Sequence, residues 1–514
     1  MKDSTATLEG MHWLLRYGVS LAFLLLTLVY VLTISPGNGG YLLVFAAVVG
    51  AYMAMNIGAN DVANNVGPAV GSQAMGLGAA ILVAAVFEAA GALIAGGNVV
   101  TTIKSGIISP ERLEDTRTFI WLMTGALIAA AVWLNFATWQ GAPVSTTHSI
   151  VGAVLGAGIA AGGFSIANWM NLTTIAASWV ISPVMGGLIA AVLLMFINKT
   201  ILYRDDVMAA AKVYVPWLVG FMGWAFGTYL LMKGTSNIWK IGFGLAALLG
   251  LGVAAAIYLL TRQWIIKVAA RMENSRHSVN NLFTIPLIFA AALLSFAHGA
   301  NDVANAIGPL AAIYDALHTG AIAANASIPL WVMAIGAVGL VVGLAMFGPR
   351  LIRTVGGEIT ELDKSRAYCV AMSAAVTVII ASQLGLPVSS THIALGGVFG
   401  VGFLREYLKT RYASKLHRIL DRYDDEERDQ LRTYLRNFQT ADLEEMQAML
   451  RRAKHNPEEV PLTKKDRKRL KKIYRQELVK RNHLYRIAAA WVITVPASAV
   501  LGALMYFMLR GALL

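Results

Sequence analysis

Hydrophobic residues in this chain come in long runs rather than in alternation. Apolar stretches of about 20 residues, the length of helix that crosses a bilayer core, recur over 12–34, 41–56, 75–97, 119–138, 143–162, 173–198, 213–232, 237–260, 282–298, 328–352, 367–382, 387–404 and 487–510. This pattern predicts an all-α polytopic membrane protein with about 12 to 13 transmembrane helices. The first run has Lys2 and Arg16 near its start, as a signal peptide would. It is too long for one, lacks a small-x-small cleavage site and precedes many more, so it reads as a retained extra helix.

Composition and charge then add constraints. Of 514 residues, 57% are hydrophobic and 14% charged, and the single cysteine, Cys369, excludes an internal disulfide framework or a Cys-cluster metal site. The 48 glycines suit a fold held by close helix packing. One long polar segment, 405–486, carries 23 Lys and Arg against 14 Asp and Glu in a chain of formal net charge +13. It reads as cytoplasmic, as does the shorter loop 262–281, with Arg262, Lys267, Arg271 and Arg276 against Glu273; an even number of predicted spans lies between them. The basic density around Lys464–Lys472 reads as an orientation signal or a contact with anionic headgroups, not as a nucleic-acid site. Thr440 before Asp442, and Thr463 with Asp466, are helix-capping patterns, so the segment is expected to be a basic helical insertion.

The chain also repeats itself. Gly-Ala-Asn-Asp-Val-Ala-Asn-Asn-Val-Gly-Pro at 58–68 agrees at nine of eleven positions with 299–309, and each copy is followed by Gly-x-Pro-Val-Ser-[Ser/Thr]-Thr-His, at 141–148 and 385–392. Asp61 precedes Ser145 by 84 residues and Asp302 precedes Ser389 by 87. A third pair, Ala-Ser-Trp-Val-Ile-Ser at 177–182 and Ala-Ala-Trp-Val-Ile-Thr at 489–494, is spaced differently because 405–486 is inserted in the second copy. The expected organisation is an extra helix at 1–40, a first repeat at 41–198, connecting helices and a loop at 199–281, a second repeat beginning at 282–404, the insertion, and its last helix at 487–514. Seven predicted spans separate the two starts, and an odd number inverts the second copy. Inverted repeats are the architecture in which secondary transporters bind substrate and ions at the midplane, often on interrupted helices.

A carboxylate in hydrocarbon is expensive, so Asp61 and Asp302 need compensation, and neither motif holds a Lys or Arg. Hard oxygen donors surround them: the amides of Asn60, Asn64, Asn301 and Asn305, and backbone carbonyls that the motif glycines with Pro68 and Pro309 are expected to free by unwinding the helix. Such ligands suit a cation like sodium. The hydroxyls of Ser145, Thr146, Thr147, Ser389, Ser390 and Thr391 sit after prolines at expected helix starts, where free N–H groups favour an oxyanion. Glu88, alone in its apolar run, is a candidate for coupling; His148 and His392 are structural or proton-carrying. No Gly-x4-Gly-Lys-[Ser/Thr] occurs, which disfavours ATP-driven transport.

With both motif pairs in hand, the chain resembles the inorganic phosphate transporter (PiT) family over about 41–198 and 282–510. The resemblance implies a non-enzymatic carrier importing inorganic phosphate by symport with sodium or protons through alternating access. It implies a substrate site of Asp61, Asn64, Ser145, Thr146, Thr147, Asp302, Asn305, Ser389, Ser390 and Thr391, with cation ligands among Asn60, Asp61, Asn301 and Asp302. No cofactor besides the coupling cation is implied; the setting is a homodimer in a lipid bilayer, the bacterial inner membrane. Sulfate or another oxyanion is the alternative substrate for the same fold, and an ion channel a more distant one, since the polar residues gather at two breaks instead of lining a pore.

Overall fold

Apolar runs make the helices, and polar side chains fix where several begin. Asp115, Asp363, Asn168 and Ser275 each accept a hydrogen bond from the backbone N–H three residues on, the N-cap contact that satisfies a free donor of the first turn. At Asp115 the bond from Thr118 holds the carboxyl below the usual carboxylate range. The computed structural model describes residues 2–35, 40–113, 115–140, 144–234, 241–319, 328–358, 362–420 and 482–513, with 434, 437 and 449 besides.

The helices are α1 (Lys2–Ile34), α2 (Gly40–Gly71), α3 (Leu77–Ala95), α4 (Gly97–Ser105), α5 (Thr116–Trp139), α6 (Thr146–Gly162), α7 (Trp169–Ile197), α8 (Val207–Gly234), α9 (Phe243–Ala269), α10 (Arg276–Leu282), α11 (Thr284–Thr319), α12 (Leu330–Glu358), α13 (Lys364–Gln383), α14 (Ser390–Leu420) and, after the insertion, α15 (Asn482–Leu513). Among the described residues eleven helices are long and apolar enough to cross a membrane. The protein is a multi-pass membrane protein. Of the thirteen runs expected, 143–162 becomes the 17-residue α6, too short to span alone, and 387–404 forms the start of α14. Most of 405–486, including both capping patterns read there, lies outside the described residues.

Two compact units are present. Phe399–Lys480 is one, in which the Tyr434 hydroxyl donates to the Met449 carbonyl at 3.0 Å. Everything else belongs to the membrane unit. There α9 exposes Leu248, Leu251, Leu259 and Leu260, as a lipid-facing helix does, whereas α2 and α11 are buried on nearly every face.

The repeats are inverted, and the packing of α2 on α11 shows it directly. Asp61 of α2 lies 3.6 Å from His298 of α11, yet Gly50, upstream of Asp61, packs on Ala306 and Leu310, downstream of His298. Equivalent helices therefore run antiparallel. Their packing is equivalent too: a Cβ on Gly58 would collide with the Leu340 carbonyl oxygen of α12, and one on Gly299 would collide with that of Glu88 on α3.

The repeats also exchange elements. Gly152 and Gly156 of α6 rest on Val495 and Ala499 of α15, while Gly396 of α14 rests on Pro183 of α7. Small residues at these seams let backbones touch. A Cβ at Gly156 would collide with the Ala499 carbonyl oxygen. Gly156→Ala is therefore expected to destabilise by at least about 1–3 kcal/mol, because backbone cannot yield as a side chain can. Gly78, within α3 but with nothing within 4 Å, is the control. Thermal unfolding in detergent checks this; a midpoint loss no larger for Gly156→Ala than for Gly78→Ala would remove the packing argument.

Candidate functional site

The Gly-Ala-Asn-Asp motifs sit within α2 and α11, and the helices do not unwind there. Both run unbroken through the motif and past Pro68 and Pro309. The expectation of freed backbone carbonyls is corrected: the glycines serve close packing on α12 and α3, and the oxygens come from side chains. The interruptions fall at the Pro-Val-Ser segments, where Val144 and Ser145 before α6 and Pro387, Val388 and Ser389 before α14 are non-helical; 141–143 lie outside the described residues.

These segments meet the motifs in matching pairs. Asn60 donates to the Val144 carbonyl at 2.9 Å, and Asn301 to the Val388 carbonyl at 3.3 Å. Thr146 donates to Asp61 at 3.1 Å, and Ser390 to Asp302 at 2.8 Å. Other bonds cross between the repeats. Asn64 donates to Thr391 at 2.8 Å and Asn305 to Thr147 at 3.1 Å; Thr391 in turn donates to Asp61 at 2.9 Å and Thr147 to the Val388 carbonyl at 3.0 Å. All these side chains are buried. Every residue expected on sequence grounds to form the central site is thus brought into one cluster, except that Ser145 and Ser389 act as N-caps, their oxygens accepting from the N–H of His148 and His392.

His148 and His392 lie beside the cluster instead of among the carboxylates. Their rings meet edge to face with centroids 4.5 Å apart, and Trp179 packs on His148 while donating to the Pro387 carbonyl at 3.0 Å.

Glu88 is not the isolated carboxylate its sequence neighbourhood suggests. Asn65 donates to it at 2.7 Å, and His298 Nδ1 lies 3.3 Å away. His298 Nε2 lies 3.1 Å from Asp302 and 3.6 Å from Asp61, so one buried imidazole touches three buried carboxylates. Sequence reasoning missed His298. Its signal was there: it stands one residue before the second motif, four before Asp302 on one helix face, where the first copy has Ile57.

That difference extends to a trio. Asn65 and Glu88 of the first repeat meet His298 of the second; the equivalent positions are Ala306 and Leu340 of the second repeat and Ile57 of the first, the match of Glu88 to Leu340 following from the packing of Gly299 and Gly58. Asp61 and Asp302, the hydroxyls, and the amides of Asn60, Asn64, Asn301 and Asn305 are matched between the repeats, whereas Asn65, Glu88 and His298 have apolar counterparts.

Several acceptors in the cluster face no hydrogen-bond donor among the described residues: the Oδ1 atoms of Asn60, Asn65, Asn301, Asp302 and Asn305, and Glu88 Oε2. Buried oxygen without a donor is costly, and a cation, a ligand hydroxyl or a buried water offsets it. Asp61, His298 and Asp302 place one ligand atom each within 4.8 Å of one another.

Residues 57–502 match the profile of the Phosphate transporter family. A protein of Helicobacter pylori strain J99 named "Putative phosphate permease" is 51% identical over 503 residues, spanning 96% of this chain and 94% of its own length. A protein of Thermococcus kodakarensis with the same description is 39% identical over 367 residues, 71% of this chain and 89% of its own. A solved structure titled "The sodium-dependent phosphate transporter" is similar with a TM-score of 0.75 and 30% identity, over 91% of this chain and 99% of that one. With a profile match over most of its length and relatives this similar along nearly all of it, the chain belongs to the phosphate transporter family.

Proposed function

We propose that the protein imports inorganic phosphate by symport with cations, sodium foremost, and that the clustered motifs of the two repeats are the shared binding site. The observation that carries this is a charge deficit. Asp61, Asp302 and Glu88 are buried together with one imidazole, which supplies at most one positive charge, and a phosphate anion would add more negative charge to them. Cations must accompany the anion, and the donor-free oxygens of Asn60, Asn301, Asn305 and Asp302 are hard ligands of the kind sodium takes. Each net positive charge carried inward also gains about 2.3 kcal/mol per 100 mV of membrane potential. The sodium dependence named for the solved neighbour agrees with this reading.

Phosphate is favoured over sulfate by the same acceptors, because monohydrogen phosphate has a hydroxyl to donate to them and sulfate has none. Inverted repeats around a fixed central site support alternating access by motion of one half against the other. The reading places the protein in the cell membrane of a bacterium, with 262–281 and 405–486 cytoplasmic. It also takes the working form to be a homodimer.

Proton coupling is the second reading, favoured by His298 standing between carboxylates. Phosphate uptake into proteoliposomes at fixed pH and membrane potential separates the two. Replacing external sodium by choline is expected to cut uptake by about tenfold or more, with excess sulfate competing poorly. Undiminished uptake in choline that collapses with a proton gradient would transfer coupling to protons, and equal uptake of labelled sulfate would overturn phosphate selectivity.

A further inference from the structure

One buried charged pair has no part in the site. Lys104 of α4 and Asp315 of α11 are both buried and form an ion pair. From Asp302 to Asp315 α11 advances thirteen residues, roughly 20 Å at 1.5 Å each. α4 lies along this stretch: its Ile103 side chain stands 2.7 Å from where a Cβ on Gly308 would be.

The same turn of α4 reaches the other repeat a second time. Thr102 Oγ1 donates to the Gly385 carbonyl at 2.7 Å, in the loop that leads to Pro387, Val388 and Ser389. Gly385 has a φ of +69°, a conformation that fixes this loop's path and that side chains resist. Val388 carries the carbonyl on which Asn301 and Thr147 converge. Three consecutive residues of a nine-residue helix therefore connect the far end of α11 to the second Pro-Val-Ser segment.

Burying an ion pair adds little net stability, since desolvation offsets the attraction, but removing one partner strands a charge and is strongly unfavourable. A contact with that character suits a device that must be whole in one arrangement and can part in another. The pair is also one-sided. By the register that matches Gly91 with Gly343 and Asp61 with Asp302, the equivalent positions are Gly356 and Ala74, which carry no charge.

We propose that Lys104 and Asp315 form a latch: while paired they hold α4, and through Thr102 the second Pro-Val-Ser segment, in the arrangement that closes the site toward the C-terminal end of α11. The pair parts when the site opens at that end. Lys104, Asp315 and Thr102 are positioning residues that touch neither substrate nor cation, and the proposal rests on the transport reading above.

The test uses Ile103→Cys, fully buried beside the latch, in the full chain, whose native Cys369 is also buried. In proteoliposomes, maleimide is expected to label the introduced thiol slowly, and about tenfold faster when Lys104 is also changed to Ala or to the similarly long Met. The exchange Lys104→Asp with Asp315→Lys is expected to restore slow labelling. In the original background the single changes are expected to lower maximal phosphate uptake by about tenfold with KM within about threefold, the signature of a lost conformational step, and the exchange is expected to recover it. Unchanged labelling in both Lys104 variants, or an exchange variant as reactive as the single ones, overturns the latch. Phosphate uptake by the unaltered chain is measured alongside; its absence would count against the transport reading, while the labelling rates still decide the latch.

Discussion

Asp302→Asn is expected to abolish concentrative phosphate uptake, and Asp61→Asn to reduce it nearly as far, with insertion and expression unchanged for both. Asp302 keeps one oxygen without a donor, and its other oxygen accepts from Ser390 and lies against His298. The change preserves shape and removes the charge that a cation would meet. A bond to a charged group is worth about 1.5–3 kcal/mol, and each ~1.4 kcal/mol is tenfold in binding, so cation affinity should fall by roughly ten- to hundredfold per ligand. Asp61 already has three donors, Asn60, Thr391 and Thr146, and should lose less. Labelled phosphate uptake at matched expression decides this; near-normal transport by Asp302→Asn would remove that carboxylate from the set of ligands.

The second large effect is expected at His298. Without its ring, Glu88, Asp302 and Asp61 are left close together with no basic group among the residues bonded to them. His298→Ala should lower uptake by about a hundredfold, as the loss of one partner from a buried charged cluster does. Glu88→Gln removes one of the charges the ring offsets, so the double variant should recover part of the loss. Residues that act as one network depart from additivity by about 0.5–3 kcal/mol in such a cycle. Additive losses in the four-variant comparison would show that His298 and Glu88 do not work together, and the one-sided trio would then be a packing difference only.

Much of this was legible in the sequence, for identifiable reasons. The duplicated Asp, Asn, Ser and Thr residues stand out because polar side chains in apolar runs are expensive, and their similar spacing in two copies, 84 and 87 residues, points to one cluster. Parity of the intervening spans gave the inversion, which the antiparallel packing of Gly50 and Asp61 along α11 bears out. What spacing could not give was partners. That Asn64 bonds Thr391 rather than a hydroxyl of its own repeat depends on the fold of two halves about each other. The glycines were misread because one residue type serves two ends: a helix that unwinds and a helix that another backbone touches both call for a missing Cβ, and only the neighbour, Leu340 for Gly58 and Glu88 for Gly299, distinguishes them. His298 is hard to single out from sequence because the first repeat has Ile57 in its place, so it is not part of the duplicated pattern.

The exchanged helices set a timetable for synthesis. α6 carries its bare glycine seam from the moment it leaves the ribosome, but Ala499, the surface that seam is shaped for, is made 343 residues after Gly156. At about 5–20 residues per second that interval is roughly 17–70 s. Throughout it the first repeat can occupy the membrane without its closing helix, while α7 waits for α14. Each half lacks a packing surface that the other supplies, so a chain truncated before α15 should be cleared as unfinished even though all the residues of the buried polar cluster have already been made.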